Sequence, residues 1–194
     1  AAVTNMYGTF YETTAFNKPI GSWNTAKVTI MQAMFSYADA FNQSIGSWNT
    51  AKLASTSIMF SYAPVFNQDI GSWNTSQVTT TWATFQGAAA FNQNIGGWDT
   101  AAVTAMHCMF QYSNVFNQNI GGWNTAAVTT MGATLWGATA FDQDIGSWDT
   151  SDVTIMGGLF QDASSFNQAI GGWNTVKVVN MNGMFSSASA FNHD

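Results

Sequence analysis

Phenylalanine returns at every twenty-fifth residue, at Phe16, Phe41, Phe66, Phe91, Phe116, Phe141, Phe166 and Phe191, with no insertion or deletion between copies. No other feature of the 194-residue chain restricts its fold so strongly. One copy is too short to bury its own large apolar side chains. Neighbouring copies must therefore stack and share a core, which predicts a repeat solenoid. Residues 1–194 read as one such domain. Residues 1–15 are the back part of a further copy, since "VTNM" at 3–6 matches "VTTM" at 128–131. Seven full copies fill 16–190, and 191–194 begin another. An array that opens and stops within a repeat suggests a processed chain or a piece of a longer one.

Each copy is numbered here from its opening phenylalanine as position 1. Positions 1 (Phe), 5 (Ile), 6 (Gly), 8 (Trp) and 10 (Thr) do not vary over the full copies. Large apolar residues recurring once per copy are expected to stack into a core, in coils about 4.8 Å apart. The gapless period predicts uniform coils with flat faces. Within a copy, "FNQxIGxW" reads as an extended segment ending in a bend, and the "NT" or "DT" after it as a turn. In "TAAVT" (125–129), period-two alternation puts Ala126 and Val128 on one face, with Thr125, Ala127 and Thr129 on the other. Spacings of three, four and three between Val128, Met131, Leu135 and Ala138 suggest a short helical or 3-10 turn. The expected architecture is mainly β: a parallel β-solenoid resembling a leucine-rich repeat, with strand, short strand and helical turn in each coil.

"FNQDIGSWNTSQVT" (66–79) and "MFQYSNVFNQNIGGW" (109–123), which return in every copy with small changes, resemble the BspA-like leucine-rich-repeat surface proteins. The likeness is to their 25-residue branch, common in mycoplasma lipoproteins. It implies an extracellular or surface-anchored binding or adhesion module, and no catalytic residue to carry over. The chain departs from that pattern at position 15. Ile30, Ser55, Thr80, Ala105, Thr130 and Ile155 stand where the family usually has Asn, which survives in "VTNM" at 3–6 and "VVNM" at 178–181.

Charged residues are only 7% of the chain, with four lysines, no arginine and a formal net charge of -6. That balance argues against nucleic acid and against anionic membrane surfaces, since both recruit basic patches. No apolar run is long enough to span a bilayer. Neither a cofactor nor an oligomeric partner is implied. His107 and Cys108 are sequence neighbours that could tempt a thiol–imidazole reading, yet Cys108 occupies a column of small residues, which suggests packing; no enzyme is expected. Asp142, Asp144, Asp149 and Asp152 form the densest acidic cluster and are candidate calcium ligands, although their columns fit turn formation better. Trp82 and Trp136 are off the tryptophan column and stand in different columns from each other, so they promise no regular sugar-stacking platform.

Threonine carries the functional expectation. Thr25, Thr50, Thr75, Thr100, Thr125, Thr150 and Thr175 form an unbroken column, and Thr29, Thr79, Thr104, Thr129 and Thr154 a second. Between them the third column reads Lys27, Lys52, Gln77, Ala102, Ala127, Asp152 and Lys177. Together with Thr80, Ala105 and Thr130, this leaves these columns without charge in the central three copies. A solvated face normally recruits Lys and Glu. A flat, stiff, uncharged lattice of methyls and hydroxyls instead suits a crystalline surface, so the leading expectation is ice binding by this Thr/Ala face. The alternative is an adhesin or protein-interaction array that meets a cell-surface macromolecule through its variable column (Pro19, Ser44, Asp69, Asn94, Asn119, Asp144, Ala169).

Overall fold

A computed structural model describes residues 2–193. Each 25-residue copy makes one coil, and successive coils stack in register. The stacking is clearest over 104–113. Thr104 N–H donates back to Thr79 O (2.9 Å), while Met106, Cys108, Phe110 and Tyr112 donate forward to Thr130, Gly132, Thr134 and Trp136 carbonyls at 2.7–3.1 Å. The N–H groups between them close local turns instead: Met109 to Met106 O, Gln111 to Cys108 O and Ser113 to Phe110 O. Positions 14–23 of each coil therefore form a ribbon of turns bonded through its own backbone to the coils above and below.

The expected helical turn is not there, and neither are the strands. Among the described residues there is no helix, and pairing amounts to single-residue parallel bridges such as Thr80 with Ala105 and Ala105 with Thr130. Positions 1–13, where the strands are expected, make no backbone bonds between coils among the described residues, so no ladder forms; the helical turn is prevented by a left-handed residue at two fixed places in every coil. Positions 18 and 22 both have positive φ, as at Cys108 (58°) and Tyr112 (59°) or Ala133 (55°) and Gly137 (69°). A left-handed residue every few positions reverses the local curl before an i→i−4 bond can form, and it also breaks an extended run. Val128, Met131, Leu135 and Ala138 do all point into the core, each 0% exposed. The ribbon reaches the inward spacing of a helix by other means, so the periodicity was real and the element inferred from it was not. The alternation in 125–129 fails similarly. Val128 N–H bonds Thr125 O (2.9 Å) across a turn, so Thr125 and Val128 both face inward.

The core is a set of aromatic columns. Each position 20 phenylalanine stacks on the position 1 phenylalanine that follows it in the chain (Phe35–Phe41, 3.9 Å between ring centroids), and both columns continue from coil to coil. Their spacing reveals the shape. Coils related by pure translation would put every equivalent pair of rings the same distance apart. Instead Tyr37–Tyr62 on the ribbon are 4.9 Å apart, Phe35–Phe60 5.6 Å, Phe41–Phe66 6.0 Å and Trp48–Trp73 6.5 Å. A rotation therefore accompanies each step, with the ribbon nearest its axis and the tryptophans farthest out. The faces are not the flat ones that a gapless period suggests.

Candidate functional site

Opposite the ribbon, positions 1–13 have no backbone bond between coils among the described residues. Side chains bridge the wider gap. From Trp48 to Trp173, each position 8 Nε1 donates to the Ile carbonyl of the preceding coil (Trp98 to Ile70 O, 3.1 Å). Asn67 Oδ1 accepts both Asn92 N–H (3.0 Å) and Gln93 Nε2 (3.0 Å), a pattern repeated along the stack. Position 6 must be glycine because a Cβ on Gly96 would lie 2.4 Å from Asn119 O of the next coil. The first threonine column belongs to this scaffold. Thr25, Thr50, Thr75, Thr100, Thr125 and Thr150 are 1–4% exposed, and their hydroxyls donate to the next coil's position 9 carbonyl, as Thr100 does to Asn124 O (2.9 Å). These six are therefore not part of any solvent-facing surface. Thr175 alone of this column is exposed, because no described coil follows it.

The second threonine column is on the surface. Thr29, Thr79, Thr104 and Thr129 are exposed and Thr154 half-buried. Each hydroxyl donates to the carbonyl of the preceding coil's position 14 at 3.1–3.4 Å. Thr80, Thr130, Ala102 and Ala127 are half-buried beside them. The uncharged lane of the central coils therefore exists, but it is one threonine wide where two were expected.

A second feature lies along the ribbon. A cavity of about 550 Å³ crosses four coils, lined by Tyr7, Tyr11, Tyr37, Tyr62 and Trp82 over a floor of Gly8, Ala33, Ile58, Ala83, Ser36, Ser61 and Gln86. Tyr37 and Tyr62, both at left-handed position 22, stack along one side (4.9 Å). Tyr62 can lean over the next coil because that coil has Gly87, where a Cβ would meet the Tyr62 ring at 2.6 Å. Trp82 comes from position 17, is 39% exposed, and stacks on His107 (5.4 Å). Along the floor Ser61 Oγ reaches Gln86 Oε1 (3.4 Å), and Gln86 Nε2 donates to Gln111 Oε1 (2.6 Å). Ser36 is 1% exposed, and its hydroxyl has no partner among the described residues. Burial pushes the Tyr62 phenol up from its ordinary value, with smaller contributions from Tyr37, Tyr112 and Cys108. Sequence reasoning missed this trough. The signal was the tyrosines at 37, 62 and 112, spaced by whole repeats, together with Trp82. Belonging to different columns does not keep residues apart when positions 17, 21 and 22 share one face.

The other candidates separate. His107 and Cys108 adjoin, but burial lowers the His107 pKa and raises that of the Cys108 thiol, away from the thiolate–imidazolium pair that a cysteine nucleophile uses. The four aspartates of the sixth copy are dispersed around their coil. Asp142 accepts Asn167 N–H and Gln168 Nε2, Asp144 and Asp149 accept N–H groups two residues on, and Asp152 pairs with Lys177. Among the described residues no three acidic, His or Cys side chains gather at one point. Trp136 donates to Asp162 Oδ2 (2.9 Å) on the ribbon beyond the trough. At the variable column proposed for adhesion, Asp69, Asn94 and Asn119 are exposed and bond the Gly N–H two residues on.

The profile of a family described as "Mycoplasma protein of unknown function, DUF285" matches residues 1–97 and 82–194, overlapping segments that together span the chain. No curated protein matches the chain, and no solved structure does.

Proposed function

The chain belongs to the DUF285 family, whose description assigns no activity, and from its geometry we propose a non-catalytic binding array, working outside the cell, that holds a macromolecular ligand along its ribbon. The observation behind this reading is the trough: aromatic side chains from four coils, all exposed except the half-buried Tyr62, line one uncharged concavity. Concave, largely apolar sites with a few polar groups are the usual form of ligand sites. Protein-coated surfaces should retain cells or matrix bearing the ligand. Retention should fall at least tenfold in the double variant Tyr37→Ala/Trp82→Ala, with an unchanged melting temperature. Full retention by that variant would refute the trough as the contact surface.

The threonine lane supports a second reading, ice binding. Direct backbone bonds of 2.9–3.0 Å hold Thr79, Thr104, Thr129 and Thr154 at a regular interval, and Ala102, Ala127, Thr80 and Thr130 add no charge beside them. Stiff β-branched side chains on a fixed spacing suit an ordered water lattice. Thermal hysteresis and ice-crystal shaping by the purified protein, both lost in Thr104→Tyr or Thr129→Lys, are its expected signature. Unmodified crystal growth would reject it.

A further inference from the structure

Resting on the reading of the ribbon as a binding face, we infer that the trough is a site for a neutral oligosaccharide. Four features of the lining select this chemistry.

Charge comes first. No Asp, Glu, Lys, Arg or His lines the cavity, so nothing there pairs with a phosphate, a carboxylate or an ammonium group. Burial moves the Tyr62 phenol farther from ionisation.

Backbone availability is the second. An extended peptide that adds to a sheet needs a free row of N–H and C=O groups. Here the row is already occupied: Ala33 N–H bonds Ser57 O, Ile58 N–H bonds Trp82 O, Tyr37 N–H bonds Ser61 O and Tyr62 N–H bonds Gln86 O. Recognition must use side chains.

Third is the kind of polar atom those side chains bring. The four tyrosines supply hydroxyls, which both donate and accept, while the buried Ser61 bonds Gln86 and the Gln86 amide bonds Gln111. A polyproline-type peptide offers carbonyl acceptors and few donors. A sugar presents hydroxyls that do both, and so matches the phenolic rim of the trough.

The last feature is shape. The trough is elongated over four coils, and its volume of about 550 Å³ suits a short oligosaccharide. Tyr37 and Tyr62 make an aromatic rail, with Trp82 also on the lining. Sugar rings have apolar C–H faces and polar rims, so the apolar body and polar tip of Tyr and Trp match both surfaces.

The test is titration calorimetry of the intact chain with linear hexasaccharides of glucose, mannose, galactose and N-acetylglucosamine, and with oligoproline as the competing class. We expect saturable binding of at least one hexasaccharide, little changed by salt, weakened at least tenfold in Trp82→Ala and in Tyr37→Ala. Tyr37→Phe, which keeps the ring and drops the hydroxyl, should lose several-fold; circular dichroism controls for folding. Three results overturn the assignment: no hexasaccharide binds, binding survives both alanine variants in folded protein, or oligoproline binds where the sugars do not. If cell or matrix retention still depends on Tyr37 and Trp82 while every sugar fails, the binding array stands and the glycan assignment falls. If sugars bind in the trough but retention ignores it, the assignment stands and the retention reading falls.

Discussion

The two arcs of each coil solve one problem in opposite ways. On positions 14–23 the backbone bonds coil to coil, and the outward side chains are free to vary: position 17 reads Tyr7, Gln32, Ser57, Trp82, His107, Gly132, Gly157 and Asn182. On positions 1–13 the coils stand farther apart, side chains must bridge the gap, and the core and bridging positions 1, 5, 6, 8 and 10 do not change, while outward positions 4 and 12 do. Where a side chain is the hydrogen bond, it is fixed; where the backbone is, it is released. On the outer face of the ribbon folding makes few demands on the side chains, and that leaves room for recognition.

The sharpest way to break this contrast is to exchange equivalent chemistry across it. Trp98→Ala removes a stacked, 4%-exposed indole and its bond to Ile70 O, and should destabilise by about 3–5 kcal/mol in urea unfolding. Trp82→Ala, on the ribbon, should change stability by no more than about 1 kcal/mol. Equal effects at the two tryptophans would end the distinction. Threonine gives a smaller and cleaner version. Thr100→Val keeps the shape and strands a buried carbonyl, for an expected loss of about 1–2 kcal/mol. Thr104→Val, exposed on the lane, should stay within about 0.5 kcal/mol. The smallest effect probes the ribbon backbone itself. Ala133 holds φ at 55°, where Gly158 and Gly183 stand in later coils. Ala133→Gly should raise the unfolding free energy slightly, by about 0.5 kcal/mol in urea unfolding, as relief of left-handed strain outweighs glycine's larger unfolded-state entropy.

Much of the scaffold was legible in the letters. The 25-residue period, the stacked core of Phe, Ile, Trp and Val, and the turns at "NT" and "DT" follow from patterns that side-chain burial imposes directly. The site was far less legible. Thr125 and Thr129 look alike in sequence, four residues apart, yet one hydroxyl is sealed between coils and the other faces water. Tyr37 and Trp82 look unrelated and line one cavity.

The sequence by itself determined that this chain repeats, how often, and which residues form the shared core. Burial needs apolar side chains at fixed intervals, and those intervals are written in one dimension. The tertiary structure decided which threonines reach solvent, how far apart the coils stand on each side, and where a concavity forms. Those outcomes depend on left-handed residues at positions filled by Ala, Ile, Cys, Tyr or Asp as well as Gly. They depend too on a rotation from coil to coil, which shows only when several coils are stacked.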